Sequence, residues 1–288
     1  MPELKLIEPV DYLAIGHVTF DITPGGKTPG GTVLYSALTA RALGLRVGVV
    51  TACEEDYPFP EMDGLTFHAI PSETTTTFEN IYTPEGRIQM LHHVAGALDL
   101  SSVPEVWRST PIVHLAPLAR EVDPTLARSF SHNTVCVTPQ GFMRAWNSSG
   151  RVTASEWPEA SFVLENSSIA VLSIEDINGD ENRIEEMVRS IRILAVTEGA
   201  EGARVYWNGD VRHFPAPEIE EVESTGAGDI FAACFFSKYQ STRDPWIAAR
   251  FAVQLASRSV TRRGMDSIPT TEEINASSIE ILSAEQNL

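Results

Sequence analysis

Short unbroken apolar runs alternate with stretches of helical spacing along most of this chain, and that alternation restricts the fold more than any other feature. The runs are Tyr12-Leu-Ala-Ile-Gly16, Arg46-Val-Gly-Val-Val, Thr66-Phe-His-Ala-Ile and residues 112–115, 134–138, 170–173 and 193–197. Runs this short, bounded by turn formers, are expected to be strands buried on both faces. Between the first two, Val33, Leu34, Ala37, Leu38, Ala40 and Leu43 recur at helical spacing and stop at Gly44, a C-terminal cap residue. Repeated βα units imply an α/β fold with a mostly parallel central sheet, helices on both faces and ligands beyond the carboxyl ends of the strands.

Two regions interrupt the pattern. Residues 24–31, Pro-Gly-Gly-Lys-Thr-Pro-Gly-Gly, read as a mobile loop. Residues 74–94 read as a β-hairpin turning at Pro84-Glu-Gly86 with one apolar and one polar face, suited to a lid or a dimer surface. A second hairpin over residues 203–214 turns at Asn208-Gly209, and the chain from Gly226 onward reads as helices. The length of 288 residues then fits a single domain, 1–288, with lid elements inserted at about 17–31 and 66–95.

Bulk properties exclude several function classes. A formal charge of −18 opposes a nucleic-acid surface, which needs clustered Lys and Arg. Cys53, Cys136 and Cys234 lack CxxC spacing and read as buried, reduced thiols. Pro2, Glu3, Glu8 and Pro9 stand where a signal peptide needs an apolar stretch, and no apolar run suits a bilayer, so the expected compartment is the cytoplasm, without a membrane partner. The histidines show no HxH or HExxH spacing.

Chemistry concentrates in Glu223-Ser-Thr-Gly-Ala-Gly-Asp229, which runs into the apolar stretch Ile-Phe-Ala-Ala-Cys-Phe-Phe. Small residues let a ligand approach the backbone, and the first N–H groups of a new helix lack intrahelical partners, so the segment suits an anion. Asp229 there is placed to accept a proton from a hydroxyl. On its own, the same Asp equally fits a capping residue of a buried helix. Pro139-Gln140-Gly141, just past a strand end, and the nearby Arg144 offer an amide and a guanidinium to hydroxyls or a negative group, as does Arg87 in the hairpin; each Arg also fits an ordinary surface residue.

The segment resembles the second signature, DTxGAGD, of the PfkB or ribokinase-like sugar kinase family, with Glu223 in place of the first Asp and Thr225-Gly-Ala-Gly-Asp229 intact. The resemblance implies a three-layer α/β/α fold with a small β lid. It also implies an ATP-dependent kinase whose catalytic base is Asp229, with the amides of Gly226, Ala227 and Gly228 holding the transferred phosphoryl. Gly16 and Asp21 are similar to the family's opening strand and sugar-binding acid, and the Gly30-Gly31 pair before a helix to its first signature. Tyr35 replaces an Asn common there, so the substrate pocket departs from that of a standard ribokinase. Ser173-Ile-Glu175-Asp176 is similar to the magnesium-ordering NxxE element, which implies Mg2+ at Asp176, with Glu175 as a neighbouring candidate; both also fit solvated acids at a helix start. Thr197-Glu-Gly199-Ala-Glu-Gly202 resembles the nucleotide-binding turn, joined by Thr225, and Gly264 the closing region near the adenine. The Glu223 departure bears on the monovalent-cation site that some relatives build there.

The expected reaction is in-line transfer of the ATP γ-phosphoryl to a hydroxyl of a small sugar or polyol, with the hairpin as a possible homodimer surface. Two alternatives stay open: a nucleoside or vitamin-precursor kinase of the same fold, which an aromatic pocket of Tyr35, Phe20 and Phe78 would favour, and a non-catalytic sugar-binding protein.

Overall fold

Residues 7–83, 86–130 and 132–285 are described by the structure, a computed structural model. Among them, nine strands form one sheet in the order Asp210–Phe214, Ala203–Trp207, Ile193–Thr197, Ile169–Ser173, Thr134–Val137, Ile112–Leu115, Tyr12–Ile15, Val47–Cys53 and Leu65–Pro71. Neighbours are parallel except around Ala203–Trp207, which is antiparallel to both strands beside it. Its turn to Asp210–Phe214 uses Asn208 and Gly209, both at positive φ (52° and 79°), as a two-residue hairpin of primed type requires.

The pleat sorts side chains into two cores. In the first strand Tyr12 and Ala14 point into the cluster formed with helices Thr32–Ala42, Ala227–Thr242 and Pro245–Ser259. Leu13 and Ile15 point the other way, into the cluster containing Trp107, Phe130 and residues of helices Ala160–Glu165 and Glu181–Ser190. The expected three-layer α/β/α arrangement follows from this alternation. No helix among the described residues is long and apolar enough to cross a membrane.

A second sheet, Gly26–Gly30, Thr19–Thr23, Thr76–Thr83, Gly86–His93, forms the lid. Two expectations are corrected here. Residues 24–31 are not a loop throughout: Gly26–Gly30 is an edge strand, where Pro29 is tolerated because an edge leaves half of its ladder groups unpaired. Leu65–Pro71 belongs to the edge of the central sheet, so the second lid insertion begins near residue 76 rather than 66. A further hairpin, Arg144–Trp146 with Val152–Ala154, was not anticipated; its turn reaches the lid, where Leu91 N–H donates to the Gly150 carbonyl at 2.8 Å.

Strand order reverses at Tyr12–Ile15, whose neighbours Val47–Cys53 and Ile112–Leu115 continue the chain to opposite sides. At its carboxyl end the backbone of Gly16 passes so close to the neighbouring strand that a Cβ would overlap the Ala116 carbonyl oxygen and press on Val33 Cγ1. Gly16→Ala should therefore lower the unfolding free energy by about 1–3 kcal/mol, the usual size of an overpacking defect, read as a reduced urea midpoint at unchanged slope.

Candidate active site

The crevice at this switch point opens into a cavity of about 1100 Å³ between the lid and the carboxyl ends of the strands. Each wall follows from where an element stops. Ser173, Glu175, Asp176 and Asn178 lie at or just past the end of Ile169–Ser173, and Thr197, Glu198, Gly199 and Gly202 at the end of Ile193–Thr197. Thr19, Asp21, Phe78, Asn80 and Gln89 come from the lid, and Gly31, Thr32 and Tyr35 from the start of the first helix. Thr225 to Asp229 complete it at the start of Ala227–Thr242. A separate cleft of about 800 Å³, behind the first helix, is lined by none of the candidate residues.

Two helix N-termini converge here without side-chain caps, at Gly31 (φ 101°) and Gly226 (φ 81°). A Cβ on Gly226 would run into the ring of Tyr35, so only glycine lets the two helices approach this closely. A Cβ on Gly30 would overlap Asp21 Oδ2, whereas one on Gly228 would meet nothing within 4 Å. The backbone at Gly228 therefore borders open cavity, the geometry of a phosphate cradle. The Ala227 N–H already donates to the Ser224 carbonyl at 3.1 Å.

The acids are held in distinct ways. Asp176 accepts Gln140 Nε2 at 2.8 Å and the Ser173 N–H at 2.9 Å, closing a capping box. Gln140, expected on the substrate, thus faces the metal candidate. Glu175 is exposed beside it. Glu223 accepts the Gly264 N–H at 3.3 Å, so Gly264, expected at the nucleotide, stands behind the loop and does not line the cavity. Arg144 lies 5.6 Å from the Phe78 ring centroid and donates to the Leu118 carbonyl at 3.4 Å. Phe20 faces away, packed on Tyr57 at 5.0 Å, because it alternates with Asp21 on its strand. The side chain of Arg87 lies outside the described residues.

Residues that sequence reasoning passed over anchor the lid. The fully buried His17 donates from Nε2 to the Gly96 carbonyl at 2.8 Å and sits 2.6 Å from Thr76 Oγ1 through Nδ1. The buried carboxylate of Glu121 accepts the N–H groups of His17, Leu118 and Ala119. Their signal is weak in sequence because the contacts that tie them to the lid and to each other, His17 with Gly96 and Thr76 and Glu121 with the His17 N–H, join segments far apart in the chain.

Charge dominates the electrostatics. Asp21, Glu175, Asp176, Glu198, Glu218, Glu221 and Asp229 line the cavity, and Arg144 is the one basic side chain among the described lining residues. Burial, reinforced by the charges of Asp176 and Asp21, pushes the Asp229 carboxyl up to about 7 against the opposing pull of a Thr32 hydrogen bond and of Arg144. Burial and then the charge of Glu223 push Asp21 up to about 6, and burial raises the Tyr35 phenol. A phosphate entering such a cavity needs a compensating cation. Asp176 with Glu175 suits Mg2+, a hard ion held by one or two carboxylates and otherwise by water and phosphate oxygens.

Residues 144–272 match the model of the pfkB family carbohydrate kinases. The cytidine kinase of Thermococcus kodakarensis is 25% identical over 88% of this chain and 98% of its own length. A pyrophosphate-dependent kinase in the ribokinase family, solved with a pyrophosphate analog and myo-inositol, superposes with a TM-score of 0.77 at 22% identity, over 92% of this chain and 99% of that one. Arabidopsis thaliana ribokinase, solved with ribose and ATP, superposes with a TM-score of 0.70 at 16% identity, over 93% and 98%. At these identities the structural likeness concerns the fold.

The raised Asp229 value has a stability consequence. Its native carboxyl binds a proton more tightly than the unfolded one, so its contribution is full below about pH 4 and lost as pH rises through about 7. Asp229→Asn should be more stable than the parent by up to about 4 kcal/mol at pH 8, about three pKa units at roughly 1.4 kcal/mol each. The gap should open between about pH 4 and 7 and stay constant above, in urea melts of both proteins.

Proposed function

We propose that this chain, a PfkB/ribokinase-like kinase of small-molecule hydroxyls, transfers the γ-phosphoryl of ATP to a small sugar or polyol with Asp229 as the base. The observation that carries the assignment is the Asp229 carboxylate itself, at the start of an uncapped helix and bordering an open glycine backbone. With its ionisation near 7, it is matched to taking a hydroxyl proton near neutral pH.

Asp21 would take acceptor hydroxyls, with Gly30 and Gly31 leaving room for the ring and Arg144 across the pocket. The helix-start backbone from Gly226 to Gly228 would hold the charge of the moving phosphoryl, with Ala227 shared with the turn. Asp176 and Glu175 would hold Mg2+, oriented through Gln140. When bound, that ion would neutralise phosphate charge in an otherwise acidic cavity. Thr197, Gly199, Gly202 and Thr225 line the end of the cavity that would take the donor phosphates, and Pro217, Ile219, Val253, Ala256 and Val260 line it with apolar walls that would suit an adenine. Those walls favour ATP over inorganic pyrophosphate, which would leave them without a partner. The outer lid face presents Ile22, Ile81, Ile88 and Met90, with Ile81 40% exposed, and supports pairing with a second copy through the lid.

In coupled assays of ADP formation, Asp229→Asn should lower kcat by about 10²–10⁴-fold, with ATP binding retained by calorimetry. Near-normal turnover would refute the base assignment. The parent should turn over ATP at least tenfold faster than pyrophosphate at saturation, and the reverse order would refute the donor assignment.

A further inference from the structure

The lid bears a polar pair that neither the base nor the donor site uses. Asn80 and Gln89 are directly opposed in the register of strands Thr76–Thr83 and Gly86–His93, and Gln89 Nε2 donates to Asn80 Oδ1 at 3.1 Å. Both are half-buried and line the cavity. Strand alternation puts Asn80 on the same face as Phe78, whose parallel neighbour is Asp21. Their mutual bond spends one donor of Gln89 and one lone pair of Asn80. The Gln89 carbonyl oxygen and the Asn80 amide hydrogens remain as an edge that both gives and takes hydrogen bonds. Hydroxyls, each donor and acceptor at once, are its natural complement.

Resting on the kinase reading, we propose that the acceptor is one polyhydroxylated ring and that the Asn80–Gln89 pair is its specificity determinant, reading hydroxyls on the lid side. Two observations favour a ring polyol over a nucleoside. First, the aromatic rings that line the cavity have no open face for a base to stack on: Tyr35, Phe78 and Phe231 are only 4%, 3% and 2% exposed. Tyr35 is covered by Gly226, and Arg144 lies over Phe78. Base recognition commonly relies on such stacking. Second, Asp21 and the amide pair lie a two-residue step apart along the strands, roughly 7 Å, a span that a single ring with its hydroxyls can bridge.

The test is an acceptor panel of pentoses, hexoses, cyclitols, cytidine and adenosine with MgATP, followed by Asn80→Leu and Gln89→Leu, which keep bulk and remove the polar edge. A ring polyol should surpass both nucleosides in kcat/KM by tenfold or more. Each variant should raise KM for that polyol about tenfold, the loss of a hydrogen bond or two, leaving KM for ATP and the melting temperature unchanged. Cytidine or adenosine as the better acceptor, or an unaltered polyol KM in both variants, would overturn the proposal while leaving the kinase reading intact. No ADP with any acceptor would overturn both.

Discussion

The site depends on the approach of two helix N-termini, made possible because Gly226 carries no side chain where the Tyr35 ring lies. That contact brings Thr32 within hydrogen-bonding reach of Asp229, and Ser36 Oγ donates to the Asp229 carbonyl at 3.4 Å. Lid, strand ends and the Thr225–Asp229 loop are arranged around this junction. Its cost is local: a positive φ at Gly226 and at Gly31, conformations that glycine adopts freely. The reward is a pair of helix-start backbones aimed into one cavity.

The acidity of that cavity has two consequences that pull against each other. Burial and neighbouring carboxylates raise Asp229 and Asp21, which makes the native state less tolerant of their ionisation. The same environment brings the Asp229 carboxyl near neutrality, where a base is most useful, and makes phosphate binding conditional on a cation. Stability is given up at the place where chemistry is proposed, a common trade in active sites.

Much of the framework was legible in sequence because buried parallel strands must be short and apolar, as in Tyr12–Ile15 and Ile193–Thr197, and because Asn208-Gly209 dictates its own turn. The candidate residues around Asp229, Asp21, Asp176 and Thr197 also came together as expected, since strand ends in a doubly wound sheet share one crevice. What failed did so for definable reasons. Gly26–Gly30 escaped notice because an edge strand can be built from residues that a central strand rejects. Phe20, a candidate wall of the aromatic pocket that the nucleoside alternative called for, is turned outward by alternation with Asp21. Gly264 is bonded to Glu223 and lies off the cavity, whereas Gln140 lines it and also holds Asp176; hydrogen bonds between distant segments leave no local pattern. The Asn80–Gln89 pair required the cross-strand register, which a hairpin assignment alone does not fix.

The most direct test of Asp229 as the poised base is the pH dependence of kcat/KM for the best acceptor at saturating MgATP. The acid limb should follow a single ionisation with an apparent pKa near 7 and disappear from the residual activity of Asp229→Asn. A limb near 4, or one that persists unchanged in the variant, would contradict it.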